Sequence, residues 1–387
     1  MFVSVTLQEV FRRGFERYAH QRRVPLHIRR AARAIRLCRT AALGGHVTGC
    51  PEGHEARVHY NSCRHRACPQ CARIRIDRWL AAREVQLLPC DHYHVVFTIP
   101  HELEPLWYDN RRRMTELLFR CVRDTLVELL GDPRYLGARP GVLATLHTWG
   151  RTLTFHPHVH CLVTGGGLGT TGWRGVRNGY LLPVRVVCAL FRGKLVAALR
   201  VAAARGQLTL PTEMSPTRLG NLLRTLGRRP WNVRIQERYA HGRGVLVYLG
   251  RYLRGGPISN RRLVTVDGAR VVFRYRDHRD GRPKSMALPL EHFVQRITWH
   301  VPEPGHQMVR YFGLYARGKT AEREACRAEL AALPAESLAL ASPRAVCRLL
   351  PTRERASDPT CTVCGRPLVV LTRWRRGERE PPCAAPS

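Results

Sequence analysis

Three groups of side chains in this 387-residue sequence could do chemistry, and the first is built on cysteine. Cys63-x4-Cys68-x2-Cys71, with Cys50-x3-His54 upstream, collects five thiol and imidazole groups in one short stretch. Zinc takes four such ligands in a tetrahedron, and a shell closed by Cys and His holds metal for structure rather than catalysis. At this cysteine frequency, C-x4-C-x2-C arises by chance about 0.02 times per chain. Five candidates exceed the four that zinc needs. The spacing therefore leaves open which of Cys50, His54, Cys63, Cys68 and Cys71 bind.

The second group is Phe155-His156-Pro157-His158-Val159-His160, three histidines in alternation, a pattern expected by chance about 0.04 times. Alternate residues of a strand point to one face. His158 and His160 then project together, while Val159 and Cys161 face the core. Two imidazoles roughly 6–7 Å apart on a strand can share one divalent ion. His147 on an adjacent strand, or His156, is expected to supply the third ligand. His92-Tyr93-His94 is a lesser H-x-H, without a third alternate histidine, and reads as a neighbouring strand of the same sheet.

The third group is Tyr248-Leu249-Gly250-Arg251-Tyr252, which sets two phenols one helical turn apart on one face. The spacing alone is weak, since about 0.4 such pairs are expected by chance. Arginines (Arg243, Arg251, Arg254, Arg261, Arg262) crowd the segment, and Gly255-Gly256-Pro257 ends it. Tyrosine attack on a DNA phosphodiester makes a phosphotyrosine ester, frees a 3′ hydroxyl and keeps the bond energy, so rejoining needs no ATP. A phenol with a pKa near 10 is a poor nucleophile at neutral pH. A histidine-held Mg²⁺ or Mn²⁺ compensates by polarising the phosphate. Two tyrosines allow two successive transesterifications.

Composition agrees with a nucleic-acid partner. Lys and Arg total 64 against 29 Asp and Glu, a formal net charge of +35. That excess repels itself in a compact chain, so a polyanion is the natural partner. Arg64, Arg66 and Arg73 on the knuckle, and Arg251, Arg254 and Arg261 near the tyrosines, are candidates for DNA-backbone contact. No stretch reaches the roughly 18 apolar residues of a spanning helix. Met1 to Arg23 carries Arg12, Arg13 and Arg17 and shows no signal-peptide core. A soluble cytoplasmic protein, associated with a bacterial nucleoid, is expected, where 14 cysteines are unsuited to a disulfide framework. Cys38, Cys90, Cys121, Cys161, Cys188 and Cys326 read as core residues. Cys361-x2-Cys364-Gly365 resembles half of a second knuckle, which Cys347 and Cys383 could complete.

The elements that must position these groups are legible in outline. Residues 1–43 form a basic helical region and 44–80 the zinc-binding module. The catalytic domain is expected over 85–316, and 317–387 reads as an Ala/Arg/Pro-rich tail. His92–Pro100, Val142–Trp149 and Val159–Thr164 are predicted strands, the last two paired; Leu117–Leu130 and Val186–Ala204 are predicted helices. Val264–Tyr275 and Arg282–Leu288 read as a hairpin around Asp280-Gly281.

The runs HTWGRTLTFHPHVHCLVTGGG (147–167), YLGRYLRGGPISNRRL (248–263) and YNSCRHRACPQC (60–71) resemble the insertion sequence 91 family. These are two-tyrosine rolling-circle transposases of the HUH endonuclease superfamily. HVVFTIP (94–100) and HVPEPGHQMVRYFGLYA (300–316) are similar too, so the resemblance spans roughly 10–316. It implies an α+β HUH-type nuclease domain, a central antiparallel sheet flanked by helices, plus a small N-terminal zinc-binding module. It assigns catalytic Mg²⁺ or Mn²⁺ to His158 and His160, the nucleophiles to Tyr248 and Tyr252, and structural Zn²⁺ to Cys50, Cys63, Cys68 and Cys71. Where the family often has a second cysteine soon after the first, this sequence has His54. The expected function is cleavage of single-stranded DNA at element ends through 5′-phosphotyrosine intermediates. A rolling-circle replication initiator or relaxase shares that chemistry, and a non-catalytic zinc-containing DNA-binding protein would account for the charge and knuckle alone.

Overall fold

The computed structural model describes residues 5–236, 239, 246, 250, 256–277, 279–332 and 359–380, without the side chains of Ala72 and Arg73. The first helix, α1 (Leu7–His20), starts where the Thr6 hydroxyl accepts the Glu9 N–H at 3.2 Å. Leu7, Val10, Phe11, Phe15 and Tyr18 form its buried stripe. Pro25 sets the entry to α2 (Leu26–Leu37), which buries Ile28, Ala31, Ala32 and Ile35. Their apolar faces share a core with Val271, Phe273, Phe293 and Ile297, contributed from far along the chain. Each buried aromatic there stabilises by about 2–3 kcal/mol. This face is therefore committed to packing, and only the opposite, arginine-bearing side remains for solvent or phosphate.

Next come β1 (Gly45–Gly49), β2 (Ala56–Tyr60) and α3 (Pro69–Glu84). The central sheet is built from β3 (His92–Thr98), β4 (Arg139–Trp149), β5 (Phe155–Gly169), β6 (Gly172–Gly175) and β7 (Val233–Ile235), completed by β11 (Val309–Gly313). Its order is Val309–Gly313, β4, β5, β3, β7, with β6 folded back on the glycine-rich end of β5, and every pairing is antiparallel. Val159, Cys161 and Val163 of β5 pair with Phe97, Val95 and Tyr93 on one side and with Leu146, Ala144 and Val142 on the other. After the short helix α4 (Glu104–Asp109), that face is closed by α5 (Arg111–Gly131), α6 (Val184–Ala204) and α7 (Pro216–Arg228) through residues such as Leu118, Val122, Phe191, Leu195 and Leu223. The alternation that buries Val159 and Cys161 turns His158 and His160 to the other face.

A second three-stranded sheet is β8 (Leu263–Val266), β9 (Arg270–Arg276) and β10 (Pro283–Pro289). The hairpin expected at Asp280-Gly281 joins β9 to β10, with Gly281 at φ +68°. The expected first arm, Val264–Tyr275, is broken into two strands by a turn at Asp267, whose carboxylate accepts the N–H groups of Ala269 and Arg270.

The C-terminal segment departs from the expected tail. Thr320–Ala332 is a helix, and β12 (Val369–Trp374) pairs antiparallel with β1 in a sheet ordered β12, β1, β2. Gly44 and Gly45 are needed at that junction: a Cβ on Gly45 would lie 2.6 Å from the Trp374 ring, and Gly44 has φ +73° with the Trp374 carbonyl against it. The zinc-binding module is thus finished by residues from the other end of the chain. Cys347 and Cys383, the expected partners of Cys361 and Cys364, lie outside the described residues.

His300, just past the helix Leu290–Trp299, locks the turn between β4 and β5. Its Nε2–H donates to the Leu153 carbonyl at 3.2 Å, and its Nδ1 accepts from the Thr148 hydroxyl at 3.1 Å. Burial lowers its pKa to about 3. In the unfolded chain an imidazole protonates near pH 6.5, so between these values the unfolded state binds more protons. Its contribution to stability is therefore present above pH 6.5 and lost as pH falls toward 3. We expect the melting temperature to drop between pH 6.5 and 4, and His300→Gln to show a shallower drop; equal slopes for the two proteins would contradict this account.

Candidate active site and metal centres

The structure divides the five expected zinc ligands between two places. Cys63, Cys68 and Cys71 gather with Cys38, whereas Cys50 and His54 gather with Cys361 and Cys364. Cys38, assigned to the core from sequence, ends α2 and points its thiol at 3.5 Å from that of Cys71. Cys63 and Cys71 are 3.6 Å apart. With zinc–sulfur bonds of about 2.3 Å, a tetrahedron's edge is about 3.8 Å, whereas a disulfide needs about 2.05 Å. The donor set and spacing fit zinc. Local geometry supports them: Arg64 takes φ +52° so that the His65 N–H can reach the Cys63 sulfur at 3.4 Å. Cys68 caps α3 and Cys71 lies in its first turn, where the Cys38 thiol, then those of Cys63 and Cys68, push the Cys71 pKa down.

The histidines come together on the opposite face of the central sheet from its helices. His147 of β4 sits directly across from His158 of β5, and Thr145 across from His160. One ring nitrogen from each of His147, His158 and His160 lies within 4.8 Å of the others. Ring centroids are 5.4 Å apart for His147 and His158, 4.2 Å for His147 and His160, and 4.7 Å for His158 and His160. His156 is not in this group. Its carbonyl instead accepts the Nδ1–H of His158 at 2.6 Å, which leaves the His158 Nε2 lone pair for a ligand.

His94 of β3 supplies the same service to His160. The Gln236 Oε1 accepts from His94 Nδ1–H at 2.8 Å, so His94 Nε2 is an acceptor for the His160 Nδ1–H at 2.7 Å. This chain fixes the tautomer of His160, with the proton on Nδ1 and the lone pair on Nε2. Sequence reading set His94 aside as part of a neighbouring strand. It is that strand, and its H-x-H spacing was the signal for a supporting role. Burial lowers the pKa of His158 to about 4 and those of His147 and His160 well below the ordinary value. All three are therefore neutral donors at physiological pH. Three imidazole nitrogens without a carboxylate, among the described residues, suit a transition metal such as Mn²⁺ better than Mg²⁺, which takes oxygen ligands.

Tyr248, Tyr252, Arg251 and Arg254 lie outside the described residues, as does the side chain of Arg73. What flanks the tyrosines is described. Tyr239 exchanges backbone hydrogen bonds with His92, three residues after Gln236 engages His94. Leu246 is buried in the main core. Gly250 lies against α3, where a Cβ would meet Leu80 at 3.0 Å, and Gly256 is 3.4 Å by the same measure from the Ala67 carbonyl in the knuckle. Gly250 and Gly256, described residues on either side of Tyr252 in sequence, thus lie against α3 and the cysteine knuckle. Arg64 and Arg261 are exposed, and Arg66 is half-buried. No helix among the described residues is long and apolar enough to cross a membrane.

Comparison with known proteins adds the family. Residues 10–99 match the model described as "Transposase zinc-binding domain", and residues 141–323 the one described as "Putative transposase". The chain is 39% identical over 313 residues to "Putative transposase y4qJ" of Sinorhizobium fredii (strain NBRC 101917 / NGR234), covering 79% of each. It is 33% identical over 287 residues to "Transposase for insertion sequence element IS801" of Pseudomonas savastanoi pv. phaseolicola, covering 72% of this chain and 68% of that one. No solved structure matches. A mixed helix and antiparallel-sheet fold, with a cysteine cluster inside the matched zinc-binding region, is here that of a transposase. The chain belongs to the insertion sequence 91 family.

The His94–Gln236 chain carries a testable consequence. Gln236→Leu is expected to weaken Mn²⁺ binding by roughly 10–100-fold, the usual cost of losing such support, with little change in melting temperature. Titration followed by electron paramagnetic resonance of free Mn²⁺ would read this, and unchanged affinity would remove Gln236 from the site.

Proposed function

We propose that this transposase cleaves single-stranded DNA at element ends through Tyr248 and Tyr252, driving rolling-circle transposition. The observation that carries the reading is the cluster of three neutral histidines across the β4–β5 register, His147 and His160 buried and His158 half-buried. A divalent ion held by His147, His158 and His160 would polarise the scissile phosphate and offset charge developing on it. The protein's own contribution is to present neutral nitrogens, with the tautomers of His158 and His160 fixed, and to supply Tyr248 and Tyr252 as nucleophiles. In the first step a tyrosine oxygen bonds to phosphorus as the P–O3′ bond breaks, leaving a 5′-phosphotyrosine and a free 3′ hydroxyl. The second tyrosine repeats the exchange on another strand. Formal charge of +35 and exposed Arg64 and Arg261 support backbone contact with DNA. A cytoplasmic location beside the nucleoid accords with that partner.

End-labelled single-stranded oligonucleotides from the element's ends, with Mn²⁺, test the reaction on a denaturing gel. We expect a covalent adduct on the 5′ side of the cut, absent in the Tyr248→Phe/Tyr252→Phe protein, whose DNA affinity is unchanged. Cleavage without an adduct would make water the nucleophile, and binding without cleavage under any metal would favour the non-catalytic reading.

Two further outcomes follow from charge and donor type. At equal concentration Mn²⁺ should support faster cleavage than Mg²⁺, and His158→Ala should abolish both. DNA affinity should fall steeply with salt as arginine–phosphate contacts release counterions; a flat log–log plot would contradict backbone binding.

A further inference from the structure

We propose that Cys50, His54, Cys361 and Cys364 form a second zinc site, which fastens the C-terminal segment to the N-terminal module. Both matched family regions end before Cys361. The four ligand atoms lie within 4.8 Å of one another. The Cys50 sulfur is 3.5 Å from that of Cys364 and 3.6 Å from His54 Nδ1, and Cys361 is 3.9 Å from the same nitrogen. For zinc with bonds of about 2.3 Å to sulfur and about 2.05 Å to nitrogen, tetrahedral edges are about 3.8 and 3.6 Å. The contacts are too long for a disulfide. Nor is this a set of thiols buried for packing, because Cys364 and His54 are exposed.

The backbone around the cluster is shaped as it is around the first one. Glu52 N–H donates to the Cys50 sulfur and Val363 N–H to the Cys361 sulfur, both at 3.4 Å, matching the bond from His65 to Cys63. Each turn closes on a glycine in the left-handed region, Gly53 at φ +77° and Gly365 at φ +70°. An amide aimed at each sulfur stabilises a thiolate, the form that binds metal. The two turns are also joined outside the ligands. Glu55 Oε1 accepts the Thr362 N–H at 2.7 Å, and Arg366 pairs with Glu52 at 2.8 Å. Pairing of β1 with β12 sets the register that brings both turns to one end of the sheet.

Three thiolates and an imidazole make a soft, closed shell, so the ion is Zn²⁺ in a structural role. His54 thus serves zinc, in a different shell from Cys63, Cys68 and Cys71. The partners left open for the Cys361-x2-Cys364 half-knuckle are supplied from the opposite end of the chain.

Zinc content of the full chain tests this, in a His158→Ala/His160→Ala background that removes the three-histidine cluster as a competing site. With all cysteines intact, metal analysis should find two zinc ions per chain. Adding Cys361→Ser/Cys364→Ser should leave one and raise amide exchange over 359–374 at least tenfold, while exchange in the central sheet stays as it was. One zinc in the cysteine-intact protein overturns the proposal, however the serine variant folds. Two zinc ions retained in the serine variant would overturn it as well.

Discussion

The register between β4 and β5 is the constraint on which the active face depends. Placing His147 opposite His158, with Thr145 opposite His160, brings three imidazoles together without any loop. A slip of one residue would turn His158 and His160 into the apolar layer under α5 and α6 and put Val159 and Cys161 on the histidine face. The penalty for that exchange is large, because Val159, Cys161 and Val163 are fully buried. The same hydrophobic alternation that folds the sheet therefore sets the histidines. The site needs no separate scaffold, only a strand whose polar alternates happen to be imidazoles.

Burial has a chemical cost that the structure offsets. Imidazoles removed from water resist protonation, as the lowered pKa values of His147, His158 and His160 reflect. Neutral rings still have two nitrogens each, and metal binding requires the correct one to be free. The His156 carbonyl and the His94–Gln236 pair make that choice for His158 and His160. Gln236 directly follows β7, so the end of that short edge strand also supports the histidine cluster.

Much of this was legible in the sequence. β-branched and aromatic runs marked β3, β4 and β5, and the alternation of His156, His158 and His160 marked a one-faced cluster. Whether His147 or His156 joined them was not legible, because it depends on cross-strand register rather than on spacing within one strand. Which residues gather at one cysteine cluster was not legible for a related reason. Cys38 follows an amphipathic helix with no spacing relation to Cys63, and local counting assigns such a thiol to packing. Cys50 and His54 looked like companions of Cys63 through nearness in sequence, yet the thiol 3.5 Å from that of Cys50 belongs to Cys364, 314 residues away. Long-range pairing of β1 with β12 decides the matter, and neither strand has a composition that announces it.

That pairing also orders events during synthesis. β1 is the middle strand of its sheet, and one of its neighbours, β12, is made only after the whole stretch up to Val369 has followed it. Until then the N-terminal module presents a bare strand edge, the feature through which β-proteins join to copies of themselves. A chain broken off before Val369 keeps that edge, whereas one that reaches Trp374 covers it with β12. The two thus differ in their capacity to associate, although both contain the histidines of β4 and β5.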